Sequence, residues 1–376
     1  MSNARLRNPA LLVGVTLIAL ASTCAWSQTA ELRPAVPLDP IDGILAAFKT
    51  HQVVTIGEGG HNNEQTHALR LSLIRDPRFA KIVNDIVVEF GNSRYQDIMD
   101  RFVGGEDVPH AQLQQVWQNT TQAHEIWDVP IYEEFFQEVR KINTKLSKKR
   151  KLRVLLGDLP IDWDQIKTRE DLLKAKRNDS VPAGIIEREV ISKGRRALVI
   201  YGEMHSVRRN TYWMMEDKAA AEERYARPVE TIVALLEKSG AKVFSIRTST
   251  SNLAELQPDI ATWTPPKLAL LAGTPLGQAS FIFYYPDDIY IRRPDNTWEQ
   301  VKADPNRSPL MQDQFDAVLY IGPKSSITYS KVSKTMCADQ EYMQMRIGRM
   351  KISAGPDAAS AGTKLQEYCS KLLAGE

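Results

Sequence analysis

Val53-Val54-Thr55-Ile56-Gly57-Glu58-Gly59-Gly60-His61 runs from a strand pattern straight into an acid, two glycines and a histidine. The opening residues are β-branched and do not alternate with polar ones, which predicts a strand covered on both faces. Three more runs share the design. Ile86-Val87-Val88 ends on Glu89, and Val154-Leu155-Leu156-Gly157 ends on Asp158. Leu198-Val199-Ile200-Tyr201 runs into Gly202-Glu203-Met204-His205. Helix-like stretches separate the four runs, so the expected fold is α/β, with a mostly parallel central sheet flanked by helices. In such a sheet the ligand crevice lies outside the carboxyl ends of the strands. Glu58, His61, Glu89, Asp158, Glu203 and His205 are therefore expected to converge on one rim.

Working outward, the pattern predicts strands over 52–57, 85–90, 152–157, 197–201 and 242–247, with two more over 280–285 and 316–321. A short helix is expected over 40–48, and another from 62 to 75, where Asp76-Pro77 stops it. A helical insertion covers 93–102, 110–118 and 130–146; Ile131, Phe135, Phe136, Val139 and Ile142 share one face of its last part. The charged stretch 168–193 reads as helix broken at Val181-Pro182, and 228–238 as a further helix. The expected layout is a signal peptide over 1–27, linker and first helix over 28–44, an α/β domain over 45–335, and an irregular C-terminal extension over 336–376.

Composition bounds the partners. The 376 residues carry a net charge of +2 and 25% charged residues, which gives no reason to expect nucleic acid. The dense basic run at Lys145-Leu146-Ser147-Lys148-Lys149-Arg150-Lys151 follows an amphipathic helix and reads as a solvated helix end. At the N-terminus Arg5 and Arg7 precede an apolar stretch from Ala10 to Ala21 that is too short to span a bilayer comfortably. Ala25-Trp26-Ser27 then offers a cleavage site, with Gln28 as the new first residue. A periplasmic or secreted protein without an integral membrane segment is expected; lipid anchoring at Cys24 fits less well, because Thr23 is large for the position before a lipidated cysteine. Cleavage removes Cys24 and leaves Cys337 and Cys369, which in an oxidising compartment either pair or remain two unrelated thiols.

The turn Gly57 to His61 is the sharpest chemical signal. Its glycines allow a tight passage from strand to helix and bring backbone N–H groups to the site. It superficially matches a dinucleotide fingerprint, but the third glycine position is Asn62 and an acid already fills the turn. A histidine three residues after a glutamate can act as general base if the carboxylate steadies its imidazolium form. Asn63, His67 and Arg70 recur on one face of the next helix, and Arg70 suits Glu89 or Glu58 as a partner. Taken singly, Arg70 reads as a surface charge and His67 as a half-exposed helix residue. Glu89 needs a partner, since it ends a buried strand. His51, His110 and His124 read as structural or exposed. No G-x-S-x-G elbow, P-loop or H-E-x-x-H is present, so hydrolysis would use an activated water. The same histidines and carboxylates could instead hold a divalent metal.

These residues resemble those of the erythromycin esterase-like and haem-uptake ChaN-like superfamily. Glu58-Gly59-Gly60-His61, then Arg70 and Glu89, stand in that family's order and spacing. Gly202-Glu203-Met204-His205 resembles its second histidine motif, and Phe315-Asp316-Ala317-Val318-Leu319-Tyr320 its last strand. The resemblance spans 45–330. On the esterase side it implies metal-independent hydrolysis of an ester-like or lactone substrate, with His61 as base, Glu58, Arg70 and Glu89 in support, and His205 binding or polarising the substrate. His67, Asp158 and Glu203 would line the substrate. The chain departs from the esterases at Gly202, where they carry a further histidine, and that argues against macrolide-ester cleavage in particular. On the ChaN-like side, Glu89-Phe90, Tyr95-Gln96 and Asp100-Arg101-Phe102 resemble the segment after the second strand, and a periplasmic haem- or iron-binding role without turnover is implied. A third branch, of the Tiki type, implies metal-dependent hydrolysis. The expectation is a hydrolase of a small-molecule substrate that needs no cofactor, with haem or a divalent metal as the alternatives.

Overall fold

The computed structural model describes residues 31–175, 179–209, 230–284, 289–292, 298–301, 308–355 and 358–375. The proposed signal peptide, its cleavage site and Cys24 lie outside the described residues. In chain order the strands are β1 (Val53–Gly57), β2 (Asp85–Asn92), β3 (Arg153–Asp158), β4 (Ala197–Tyr201), β5 (Val243–Ser249), β6 (Lys267–Leu270), β7 (Ile289–Arg292), β8 (Trp298–Val301) and β9 (Ala317–Tyr320). Seven of them form one sheet in the order β3-β2-β4-β1-β5-β9-β6, and β7 pairs with β8 as a separate antiparallel ribbon. All pairings in the large sheet are parallel except β6 with β9.

β1 and β4 are buried along their whole length, which explains their continuous apolar sequence. Successive residues serve opposite faces. Val54, Ile56, Leu198 and Ile200 join the larger core with Phe90, Phe135 and Phe136, while Val53, Val199 and Tyr201 pack with Ile186, Ile232 and Leu236 on the other side. Register then builds the rim. Gly57 lies opposite Tyr201, and Val88 lies opposite Ile200. Glu58 and Gly202 follow directly on β1 and β4, and Glu89, still within the adjacent β2, stands at nearly their level.

Helices Glu64–Arg75, Gln96–Gly104, His110–Gln118 and Pro130–Asn143 match the predicted ones to within a few residues. Two expectations are corrected. Residues 280–285 do not form a strand: Phe281–Tyr284 is a 3₁₀ turn. Phe281 and Tyr284 are its buried pair, three residues apart, which fits a 3₁₀ period and not a strand's alternation. The edge strand is instead β6, a four-residue segment with Leu270 half exposed. Nor does Pro182 break a helix. Helix Ser180–Ile186 starts just before it, and a proline in the first turn forfeits no intrahelical hydrogen bond.

The C-terminal segment folds into helices Lys334–Ala338, Gln340–Ala354 and Thr363–Ala374, the first and last joined by a Cys337–Cys369 disulfide. The bridge spans 32 residues of chain. Replacing both cysteines by serine is expected to lower stability by about 3–4 kcal/mol, mainly by freeing the unfolded chain. Urea unfolding of the oxidised wild type and the double variant checks this, and equal midpoints would refute it. Among the described residues no helix is long and apolar enough to cross a membrane.

Candidate functional site

The turn after β1 is built by three residues with positive φ: Gly59 at 68°, Gly60 at 90° and Asn62 at 68°. That geometry folds His61 back onto Glu58. Asn63 then caps helix Glu64–Arg75 through its side chain, which accepts from the Thr66 N–H. Nearly two turns into that helix, Arg70 points inward and is buried.

Glu58 is the hub. It is 1% exposed; Arg70 Nη1 donates to its Oε1 at 2.7 Å, and His61 Nδ1 lies 2.6 Å from its Oε2. Tyr132 supports both ends of the turn: its hydroxyl accepts from the Asn62 N–H at 3.0 Å and lies 3.5 Å from Glu58 Oε1. Trp127 meets the His61 ring edge-on with centroids 4.6 Å apart. His61 keeps a third of its side chain exposed, and Nε2 has no protein partner among the described residues. Burial pulls its proton affinity down, but the Glu58 hydrogen bond and the charges of Glu58, Glu89 and Glu203 outweigh this and raise its pKa to about 9.

A second imidazole faces the first. Glu89 Oε2 accepts from the Gly202 N–H at 2.8 Å, and its Oε1 lies 3.5 Å from His205 Nε2. The other ring nitrogen of His205, Nδ1, lies 2.8 Å from Asp179 Oδ1. Burial opposes the His205 charge, yet Glu89 and Asp179 raise its pKa to about 10. Burial likewise opposes the Glu89 charge, but His205, His61 and the Gly202 N–H take its pKa down to about 2. The acids around them thus favour the protonated form of both imidazoles.

The remaining predicted residues sit around this centre. Glu203 lies over Gly57, where an added Cβ would fall 2.7 Å from its Cγ, and it accepts from the Gly59 N–H. It braces the turn from behind. Asp158 accepts from the Thr121 N–H at 2.5 Å and its hydroxyl at 2.7 Å; burial pushes its pKa up to about 7 against those bonds. It stands opposite Asn92, past the level of Glu89, and holds the 119–128 loop. His67 is placed elsewhere. Its Nε2 lies 3.1 Å from Glu134 Oε2, so it serves the packing of helix Glu64–Arg75 on helix Pro130–Asn143. His110 pairs with Glu133 at the surface. Glu58, His61 and Glu89 offer donor atoms all within 4.8 Å of one another, a set that could hold a metal ion.

Sequence reasoning did not find Asp179, Trp127, Tyr132 or Thr121. Asp179 stands in a charged run that reads as solvent-facing, and Trp127 and Tyr132 look like core aromatics. Only the folded chain shows which of them touch the two histidines and Glu58.

No protein-family model matches this chain, and no curated protein matches it. Solved structures match it at low identity. A Bacillus cereus protein is 13% identical, with a TM-score of 0.47 over 80% of this chain and 97% of that one. An erythromycin esterase, EreC, in its open conformation is 12% identical, with a TM-score of 0.46 over 77% and 94%. ChaN of Campylobacter jejuni with cofacially bound haem is 13% identical, with a TM-score of 0.34 over 56% and 86%.

Proposed function

We propose that this chain is an exported hydrolase that cleaves an ester-like or lactone substrate with a water activated at the rim site. The observation that carries this reading is the Arg70–Glu58–His61 series. A buried, arginine-held carboxylate fixes one imidazole nitrogen of a side chain that stays one-third exposed. In the proposed step His61 Nε2 takes a proton from water as the water oxygen bonds to the acyl carbon. The same proton then passes to the leaving alcohol oxygen as the acyl–oxygen bond breaks. Glu58 steadies the imidazolium between the two transfers. His205, held protonated by Glu89 and Asp179, faces the negative charge that develops on the carbonyl oxygen.

A second reading rests on the proximity of Glu58, His61 and Glu89. Two carboxylates and an imidazole suit a divalent transition metal. Those three residues would hold it, and it would supply a water acidic enough to attack at neutral pH. Binding would require His61 to lose its proton, so affinity would rise with pH.

Purified protein assayed against a panel of esters and lactones, with and without chelator, separates the readings. Chelator-insensitive turnover supports the first. Activity lost on chelation and restored by zinc supports the second. No turnover together with a Soret band after haem addition would replace both by the binding-protein alternative. Intact mass of protein recovered from the periplasm tests export and cleavage before Gln28.

A further inference from the structure

Residues 327–330 run alongside the turn that carries His61 and are tied to it on both sides of Tyr329. The Glu64 N–H donates to the Thr328 carbonyl at 3.1 Å, and the Ser330 N–H donates to the Asn62 carbonyl at 2.9 Å. Between these bonds Tyr329 forms an antiparallel bridge with Asn63. Side chains double the first tie: Gln65 Nε2 donates to Thr328 Oγ1 at 3.0 Å, and that hydroxyl donates to Glu64 Oε2 at 2.6 Å. Farther on, the Tyr368 hydroxyl donates to the Val332 carbonyl, so the disulfide-closed C-terminal segment holds the same strap. The backbone under Tyr329 is pinned.

Its side chain is left open. Tyr329 is 48% exposed, and it is the aromatic among the exposed large apolar side chains of the described residues. Its ring nevertheless reaches over the turn: a Cβ placed on Gly60 would lie 3.6 Å from its Cε1 and 3.7 Å from its hydroxyl oxygen. Gly60 directly precedes His61. On the other side of the site Met204, directly before His205, is 46% exposed. Single exposed apolar residues are ordinary on a protein surface. Here two of them adjoin the two histidines of one site, and one is an aromatic on a pinned strap.

The surroundings define what such a ring would seat. A tyrosine face takes up a flat, weakly polar surface and loses little rotational freedom in doing so. Glu58, Glu89, Glu203 and Asp179 surround the imidazoles, with Arg70 as the guanidinium among them. With every acid ionised and both imidazoles charged, the carboxylates still outnumber the cations. The field therefore disfavours an anionic substrate and tolerates an uncharged one.

We infer that Tyr329 is a specificity-determining residue, the platform on which an uncharged ring of the substrate stacks beside the scissile ester. The assignment rests on the hydrolase reading and narrows its substrates to uncharged esters that carry a ring with an apolar face.

Benzyl acetate and ethyl acetate test it, because they share the acyl group and differ in the ring. The wild type should show a lower KM for benzyl acetate, and a carboxylate on the ring, as in 4-carboxybenzyl acetate, should raise it. Tyr329→Ala should raise KM for benzyl acetate about 5–10-fold, the scale of one lost aromatic stack, and leave kcat and the KM for ethyl acetate unchanged. Tyr329→Phe should behave as the wild type on both esters. Equal wild-type KM values for benzyl and ethyl acetate would overturn the inference, as would wild-type kinetics of Tyr329→Ala on benzyl acetate. Equal losses on both esters, or a lower kcat at constant KM, would assign Tyr329 to holding the His61 turn and overturn it too. Calorimetric titration with N-benzylacetamide supplies a reading independent of turnover. Binding that weakens about 5–10-fold in Tyr329→Ala supports the platform even if no ester turns over, in which case the hydrolase reading alone falls. Equal binding by both proteins, or none by the wild type, refutes the platform.

Discussion

His61→Ala is expected to lower kcat by about 10²–10⁴-fold, the usual contribution of a positioned general base, while the variant still unfolds cooperatively. The side chain sits on a partly open rim and carries little core packing. The pH profile is the sharper test. With the His61 pKa raised to about 9, the base form is scarce at neutral pH, so kcat/KM should climb as pH rises and level off above about 9. Glu58→Gln should move that inflection down, because it removes the charge and strong acceptor that hold the proton while burial remains. An inflection near 6.5 in the wild type, or no movement in Glu58→Gln, would show that another group is the base. The linkage has a definite sign: a folded-state pKa above the unfolded one means the pair stabilises the protein fully below about 6.5. That contribution fades as pH rises through about 9.

Asp128→Ala is expected to cost about 3–5 kcal/mol, the scale of breaking a buried ion pair by deleting one partner. Arg346 Nη2 donates to Asp128 Oδ2 at 2.6 Å, and the Tyr342 hydroxyl donates to the same oxygen at 2.7 Å. Asp128 is 0% and Arg346 1% exposed in their side chains. Arg346 also donates to the carbonyls of Gln122, Ala123 and His124, so helix Gln340–Ala354 grips the whole 119–128 loop. Trp127, beside Asp128, brings the same loop against His61. The urea midpoint of Asp128→Ala measures the loss. A double variant with Arg346→Met should recover much of it, because no unpaired buried cation remains; strictly additive losses would show that the pairing itself matters little.

The fold was legible because its central strands are parallel and buried on both faces. Such strands must be apolar without interruption, and each ends where its chain must turn polar. β1 to β5 could therefore be read within a residue or two, and the rim acids with them. The run at Phe281–Tyr284 misled because aromatic residues favour strands, whereas two of them face the core at a spacing of three. Pro182 misled because a proline stops a helix only beyond its first turn.

At the site, local spacing by itself determined the Glu58–His61 pair, since three residues across two glycines allow little else. Helical spacing also put Arg70 on one face with Asn63 and His67. Arg70 suited Glu58 and Glu89 equally in sequence, and only the tertiary structure decided for Glu58. Contacts between strands follow from register, and β4 pairs with both β1 and β2 although β3 and several helices separate it from them in the chain. That register brings Gly202 beside Glu89. The crossover helix then adds Asp179 to His205, and a disulfide-braced C-terminal segment fixes the loop that sets Trp127 on His61. Short-range geometry is written in neighbouring residues. The second half of the site is assembled from segments 26 residues apart, from Asp179 to His205, and 113 apart, from Glu89 to Gly202, and their meeting depends on the packing of the whole sheet.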